Sequence, residues 1–294
     1  MLFQLKYFLW SKGLDGIAYV LSKLPVSFIS LGVRLMARVW FDVIPIRVNL
    51  IVSNLKHAFG SDLSQAEIEK IAVKNLEHYL YFFLEFILFR ALSTQEFQGR
   101  FEIEGLTHVQ THFKKEEKIF VLTAHLGNFE WLASWVPLAG IPLGIVVRTL
   151  KNKVFNAIVS EQRQRTGVHL IFAENSKWKI MKLLSEKNVI GFMLDQRKSP
   201  PGGIFVHFFG RPAATTQGLA YLVERSAAVV VPAFIERKTF GYFKIHIQPA
   251  LSYKKVGNRR QTIYDLTQLY TRTIENQIRK YPEQWFWIHR RWRE

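Results

Sequence analysis

Cysteine is absent from all 294 residues. A thiol nucleophile, a thiolate-bound metal and a disulfide are therefore closed to this chain, a pattern that suits a reducing compartment. Acidic residues are scarce: 23 Asp and Glu stand against 40 Lys and Arg, a formal charge of +17. A surface that basic favours an anionic partner, whether nucleic acid, anionic lipid headgroups or an acidic carrier protein. Chemical signatures are missing too. There is no G-x-S-x-G elbow to present a nucleophilic serine, no glycine-rich phosphate loop and no zinc-ligand spacing. These absences favour a base that activates a substrate hydroxyl over a covalent acyl-enzyme, with no metal or bound cofactor required. The N-terminus does not read as a cleavable signal, because Lys6 and Lys12 interrupt its apolar residues and no small-residue cleavage site follows.

What is abundant is aromatic: 24 Phe and eight Trp exceed the needs of an ordinary soluble domain. The stretch "GIAYVLSKLPVSFISLGV" (Gly16–Val33) has about the length of a bilayer span. Lys23 and Pro25 sit in its middle, however, and a central Lys costs roughly 2.5–3.5 kcal/mol on insertion. The expectation is two amphipathic helices lying on a membrane and broken at Pro25; two core helices are the alternative.

Residues 1–92 read as helical throughout and as membrane-associating. "IRVNLIVSNLKHAFG" keeps its apolar residues on one face and stops at Gly60, a C-cap, after which Ser61 or Ser64 can cap a long helix. The aromatic second half of that helix should be buried or lipid-facing. Residues 93–294 form the second region, in which β-rich runs (118–124, 143–147, 168–173, 188–194, 228–235, 243–248) alternate with helical ones (129–138, 151–165, 175–186, 216–225), closing on an amphipathic helix at Arg259–Lys280. This alternation predicts an α/β domain with a largely parallel sheet flanked by helices.

Four of these strands run into an ionisable residue: His125, Arg148, Asp195 and Glu236. In a parallel sheet such carboxyl ends share one side, where ligands bind. Glu236, beside Arg237 and Lys238, reads as a solvated strand end. His125 is the general-base candidate in "FVLTAHLGNFEW". If Gly127-Asn128 makes the turn and Phe129 starts a helix, Glu130 can fold back onto the other imidazole nitrogen, fixing the tautomer and stabilising the imidazolium. Along a continuous helix the two would lie about 140° apart, so the turn is essential. Amides at Gly127 and the helix start can then face an oxyanion. A satisfied buried histidine is the competing reading.

Arg148, Lys151, Lys153, Arg163 and Arg165 cluster around Asn152, as a solvated basic face or as an anion clamp. In "DQRKSPPGGIFVHFFGRPAATTQG", Pro-Pro-Gly-Gly and Gly-Arg-Pro mark turns, Thr215 or Thr216 can cap a helix, and "IFVHFFG" is apolar enough to line an acyl-chain groove. The closing "PEQWFWIHRRWRE" mixes Trp and Arg, a composition of membrane interfaces and also of surfaces that stack on single-stranded nucleic acid.

Taken together, "RVNLIVSNLKHAF", "AHLGNFEW", "VVRTLKN", "DQRKSPPGGIFVHFFGRPAATTQG" and "PEQWFWIHRRWR" resemble the lipid A biosynthesis (late) acyltransferases, within the lysophospholipid acyltransferase group. The resemblance implies transfer of a fatty acyl chain from acyl carrier protein or acyl-CoA to a hydroxyl of a membrane glycolipid, at the cytoplasmic face of a bacterial inner membrane. It implies His125 and Glu130 as a catalytic dyad, and Arg148, Asn152, Arg163, Asp195 and Arg197 as substrate-binding positions. Relatives also acylate phosphoinositol mannosides and lysophospholipids, so the acceptor stays open. A non-enzymatic nucleic-acid-binding protein and a lipid hydrolase that activates water through His125 are the rivals.

Overall fold

A computed structural model describes residues 2–60, 62–172, 176–254 and 257–292. Ser61, the end of the 168–173 strand, the first residue of the 175–186 helix, and Arg293 and Glu294 of the tail lie outside the described residues.

The chain opens with α1 (Leu2–Lys23) and α2 (Val26–Asp42). Proline at residue 25 has no amide hydrogen to continue α1 and instead stands at the N-cap of α2, and the pair bends by 116° there. Ile29, Val33 and Ala37, spaced by four, form the buried stripe of α2. The outer faces are bare hydrocarbon: Trp10 is 60% exposed, Tyr19 64%, Phe28 63% and Leu35 61%. Among the described residues no single helix is long and apolar enough to cross a membrane, although the bent pair meets that test jointly. The pair therefore has the amphipathic form expected from the sequence.

Next come α3 (Val48–Phe59), with Gly60 at its C-cap, and α4 (Gln65–Leu88), started by Ser64 and Glu67 in a reciprocal capping box. A short α5 (Thr94–Gln98) leads into β1 (Phe101–Glu104) and α6 (Leu106–Lys114). The α/β core continues as β2 (Ile119–Thr123), α7 (Phe129–Leu138), β3 (Leu143–Val147), α8 (Lys153–Gln164), β4 (His169–Phe172), α9 (Ser176–Ser185) and β5 (Val189–Met193). After β6 (Gly203–Phe208) and β7 (Arg211–Thr216) come α10 (Gly218–Ser226), β8 (Val229–Thr239), β9 (Tyr242–Ile247) and α11 (Arg259–Lys280).

Seven strands form one sheet in the order β1-β9-β8-β2-β5-β3-β4, parallel except between β8 and β9, as the alternation predicts. Its core divides between the two faces. Phe120, Leu122 and Ile190 point towards α3, α9, α10 and α11, while Val121, Val189 and Val231 point towards α7.

Three expectations need correction. β8 does not stop at Ile235: antiparallel pairing with β9 carries it to Thr239, so Glu236 lies mid-strand. It is buried rather than solvated, bonded to His246 Nε2 at 3.0 Å and Lys238 Nζ at 3.1 Å. Thr215 and Thr216 close β7 and Gln217 is the N-cap of α10, although the Thr216 hydroxyl does accept the Gly218 amide at 3.3 Å.

The third concerns the Trp/Arg tail, which is neither a membrane belt nor a stacking platform. Trp285 and Trp287 are 1% and 0% exposed, with ring centroids 4.6 Å apart, and Arg291 is 0% exposed. Side-chain amides hold the tail's backbone: Asn54 of α3 donates to the carbonyls of Trp287 and His289, and Asn75 of α4 to those of Glu283 and Trp285. Burial draws the Arg291 guanidinium down to about 10, and it donates to the Ala214 carbonyl at 2.7 Å.

Candidate active site

β2 and β5 run parallel with Thr123 opposite Met193. Continuing that register by two residues sets His125 beside Asp195, at the carboxyl edge where a parallel sheet binds ligands. The Asp195 carboxylate accepts three hydrogen bonds: from His125 Nδ1 at 2.9 Å, from the His125 amide at 3.0 Å and from the Trp285 indole at 2.8 Å. An ionised carboxylate only accepts, so Nδ1 carries the proton and Nε2 keeps its lone pair for the cavity that His125 lines.

Burial works against a charged imidazole here, but the Asp195 charge and hydrogen bond, with the Glu130 charge behind them, outweigh it and hold His125 above the ordinary histidine value. Burial likewise opposes the charged form of Asp195, and His125 together with the three donors outweighs that and holds the carboxyl below its ordinary range.

The carboxylate on the imidazole is therefore Asp195, not Glu130. Glu130 sits in the first turn of α7 and faces α8, where Arg163 grips it bidentately through Nε at 2.8 Å and Nη2 at 2.5 Å. His125, Glu130 and Arg163 all line the same cavity, so the residues meet with partners exchanged.

The turn between His125 and α7 follows the sequence in shape but not in chemistry. Gly127 has φ of +59°, and a Cβ there would stand 2.0 Å from the Ile235 carbonyl oxygen. Its amide donates to the Gln284 carbonyl at 3.0 Å, so it does not face an oxyanion. Asn128 is 0% exposed; its Oδ1 caps the Trp131 amide and its Nδ2 donates to Glu85 at 2.8 Å. Glu85 in turn accepts both arms of Arg237, at 2.6 and 2.7 Å, and the Gly241 amide at 3.2 Å. The turn is thus locked into a satisfied buried network rather than left to bind substrate.

The cavity, of about 1600 Å³, straddles the carboxyl edge. On one side its wall is hydrocarbon, from Val121, Leu132, Ala133, Val136, Leu143 and Ile145. On the other it carries cations: Arg148, Lys177, Arg197, Lys198, Arg259 and Arg260, against Glu130 as the acidic lining residue among those described. Arg148 thus belongs to the site. Asn152 does not line it; it caps α8, accepting the Phe155 amide at 3.1 Å. Of the apolar hairpin strand β6, Ile204 and Phe205 reach the cavity, while Val206 and Phe208, with Phe209 of the following turn, pack into the core.

Two residues of the tail were not anticipated at the site. Trp285 supplies the third donor to Asp195, and His289 accepts the Arg197 amide on Nε2 at 2.9 Å, which requires an unprotonated Nε2. Burial keeps His289 below its ordinary value in keeping with that role. The Trp/Arg composition signalled burial or a surface, but nothing local indicated that the tail would fold back across the sheet edge. No group of three or more metal-ligating side chains occurs among the described residues.

The lipid A biosynthesis palmitoleoyltransferase of Escherichia coli K12 is 25% identical over 195 residues, 66% of this chain, and the chain spans only 61% of that relative's length. The E. coli K12 lipid A biosynthesis lauroyltransferase is 24% identical over 289 residues, covering 95% of this chain and 89% of that one. The 1-acyl-sn-glycerophosphate acyltransferase PlsC from Thermotoga maritima superposes distantly, with a TM-score of 0.36 and 13% identity over 85% of this chain and 96% of that one. A family model described as bacterial lipid A biosynthesis acyltransferase matches residues 2–294, so the chain belongs to that family.

Proposed function

We propose that this protein transfers a fatty acyl chain from a thioester donor, acyl carrier protein or acyl-CoA, to a hydroxyl of a lipid A-like membrane glycolipid. The observation that carries the reading is the His125–Asp195 pair, held at 2.9 Å and opening onto a cavity with a hydrocarbon wall and a cationic wall. Family membership supports the substrate class.

In this mechanism Nε2 of His125 takes the proton of the acceptor hydroxyl. The resulting alkoxide attacks the thioester carbonyl carbon, and the imidazolium is stabilised by Asp195. The tetrahedral oxyanion collapses, the C–S bond breaks, and the leaving thiolate recovers the proton from His125 as a thiol. Arg148 and Arg197 stand on the cationic wall where they can stabilise the oxyanion and orient anionic substrate groups. Glu130 clamps Arg163 and adds its charge to the basicity of His125.

The same reading places the protein on the cytoplasmic leaflet, with the bare faces of α1 and α2 in the headgroup region and the basic surface against anionic lipid. What supports it is the bent pair with its outward aromatic and aliphatic side chains.

The test uses the purified full chain in anionic vesicles containing a lipid A precursor, with acyl carrier protein and CoA thioesters supplied in separate reactions. Product mass should rise by one acyl chain with at least one donor, and His125→Ala should remove the product. Release of free fatty acid without acylated acceptor would instead mark a hydrolase.

A further inference from the structure

At the cationic end of the cavity, three helices bring positive charge onto one phenol. Lys177 of α9 stands 5.1 Å from the Tyr221 ring centroid, Arg225 of α10 at 5.8 Å and Arg259 of α11 at 4.8 Å. Arg225 also donates to the Tyr221 oxygen at 3.0 Å. Tyr221, Lys177, Arg259, Lys198 and Arg260 line the cavity that holds His125. Among the described residues the carboxylate that touches the group is Glu224, 3.1 Å from Arg259 Nε.

Cation–π contact explains part of this. A cation over an exposed ring gains about 0.5–1 kcal/mol, enough to hold one guanidinium against Tyr221. It does not explain why cations from three separate elements converge, since each added charge repels the others and a surface helix can turn its Lys or Arg outwards. Hydrogen bonds from Arg225 and Arg259 draw the Tyr221 phenol below its ordinary value. Lys177, Lys198, Arg259 and Arg260 on the cavity wall outnumber Glu224 here, an excess of positive charge that an anion relieves. The guanidinium groups of Arg259 and Arg260 and the ammonium groups of Lys177 and Lys198, all on the cavity wall, supply donors that a tetrahedral anion takes up.

We propose that Lys177 and Arg259, gathered around Tyr221 on the cavity wall, bind a phosphate group of the acceptor glycolipid and so place its hydroxyl at His125. The proposal rests on the acyl-transfer reading for the identity of the ligand, but the anion site itself can be tested without it.

The experiment compares the full-chain enzyme with the double variant Lys177→Gln/Arg259→Gln; both side chains are exposed, so the core is untouched. Lys179→Gln on the outer side of α9 is the control. A lipid A precursor and the same lipid after phosphatase treatment serve as acceptors at saturating donor. The KM for the phosphorylated acceptor should rise about tenfold or more in the double variant, the worth of one to two charged hydrogen bonds, with kcat moving far less. For the phosphatase-treated acceptor, wild type and double variant should have the same KM, and Lys179→Gln should match wild type throughout. Inorganic pyrophosphate should bind wild type in calorimetry, compete with the phosphorylated acceptor, and lose both effects in the double variant. An unchanged KM for the phosphorylated acceptor overturns the proposal, as does a rise confined to the acyl donor, which would make the patch a carrier-protein contact. Should wild type acylate neither acceptor, the functional reading fails, and the calorimetry still decides the site.

Discussion

His125 must be neutral at Nε2 to act as a base, so activity should rise with pH through its titration and level off above it. Because Asp195 and Glu130 outweigh burial, that rising limb should lie above the ordinary histidine value. Asp195→Asn removes the charge that stabilises the imidazolium. The rate should fall about a hundredfold or more, and the limb of the remaining activity should move to lower pH. Glu130→Gln should move the limb in the same direction but less, since Glu130 touches Arg163 rather than the imidazole. A pH–rate profile of the three proteins checks this ordering; a larger shift from Glu130→Gln would restore Glu130 as the direct partner. At this scale the sequence brought forward His125, Glu130, Arg163 and Asp195, which the fold gathers at one place. It misassigned their pairing, because five positions of separation invite a local partner, whereas the strand register brings Asp195 from 70 residues away.

Between residues and fold stands the Leu126–Asn128 turn. Gly127→Ala would place a methyl group against the Ile235 carbonyl and force a left-handed φ on a residue with a Cβ. A cost of roughly 1–3 kcal/mol for the backbone alone is expected, with the clash added to it. The measurement is thermal unfolding, and an unchanged midpoint would show that the turn relaxes freely. The α1–α2 pair is the other element with a clear expectation. Its outer face should partition into anionic vesicles, each large side chain contributing up to about 1.5–3 kcal/mol when fully buried. Phe28→Glu with Leu35→Glu should reduce co-sedimentation with vesicles, and high salt should release little of the unaltered chain, because hydrocarbon burial is not screened. Complete release by salt would make the attachment purely electrostatic.

On the scale of the whole molecule, the tail is the piece whose role changes most between sequence and structure. Trp287 is fully buried between Phe59, Phe209 and Trp285, and Trp287→Ala should cost about 3–5 kcal/mol of unfolding free energy. Trp285→Phe keeps most of the packing but deletes the indole donor to Asp195, so it should lower turnover more than its thermal midpoint suggests. Equal losses in the two measurements would make Trp285 a packing residue only.

Six of the seven strands of the main sheet and the helices between them were legible, because apolar runs of period two or of full burial are local signals. β1 was missed because "FEIE" carries a glutamate at every second position, on the side that faces solvent in this sheet-edge strand. The β6–β7 hairpin was hidden by the turn residues that flank it.

The sequence alone determined the bend at Pro25 and the parallel alternation and set His125 at a strand end, since each depends on residue chemistry or short-range periodicity. Only the tertiary structure decided which carboxylate orients His125, that Gly127 and Asn128 serve the turn rather than an oxyanion, that the Trp/Arg tail is core, and that three helices converge on Tyr221. All of these depend on strand register and on contacts between distant segments. Residue spacing along the chain carries no record of either.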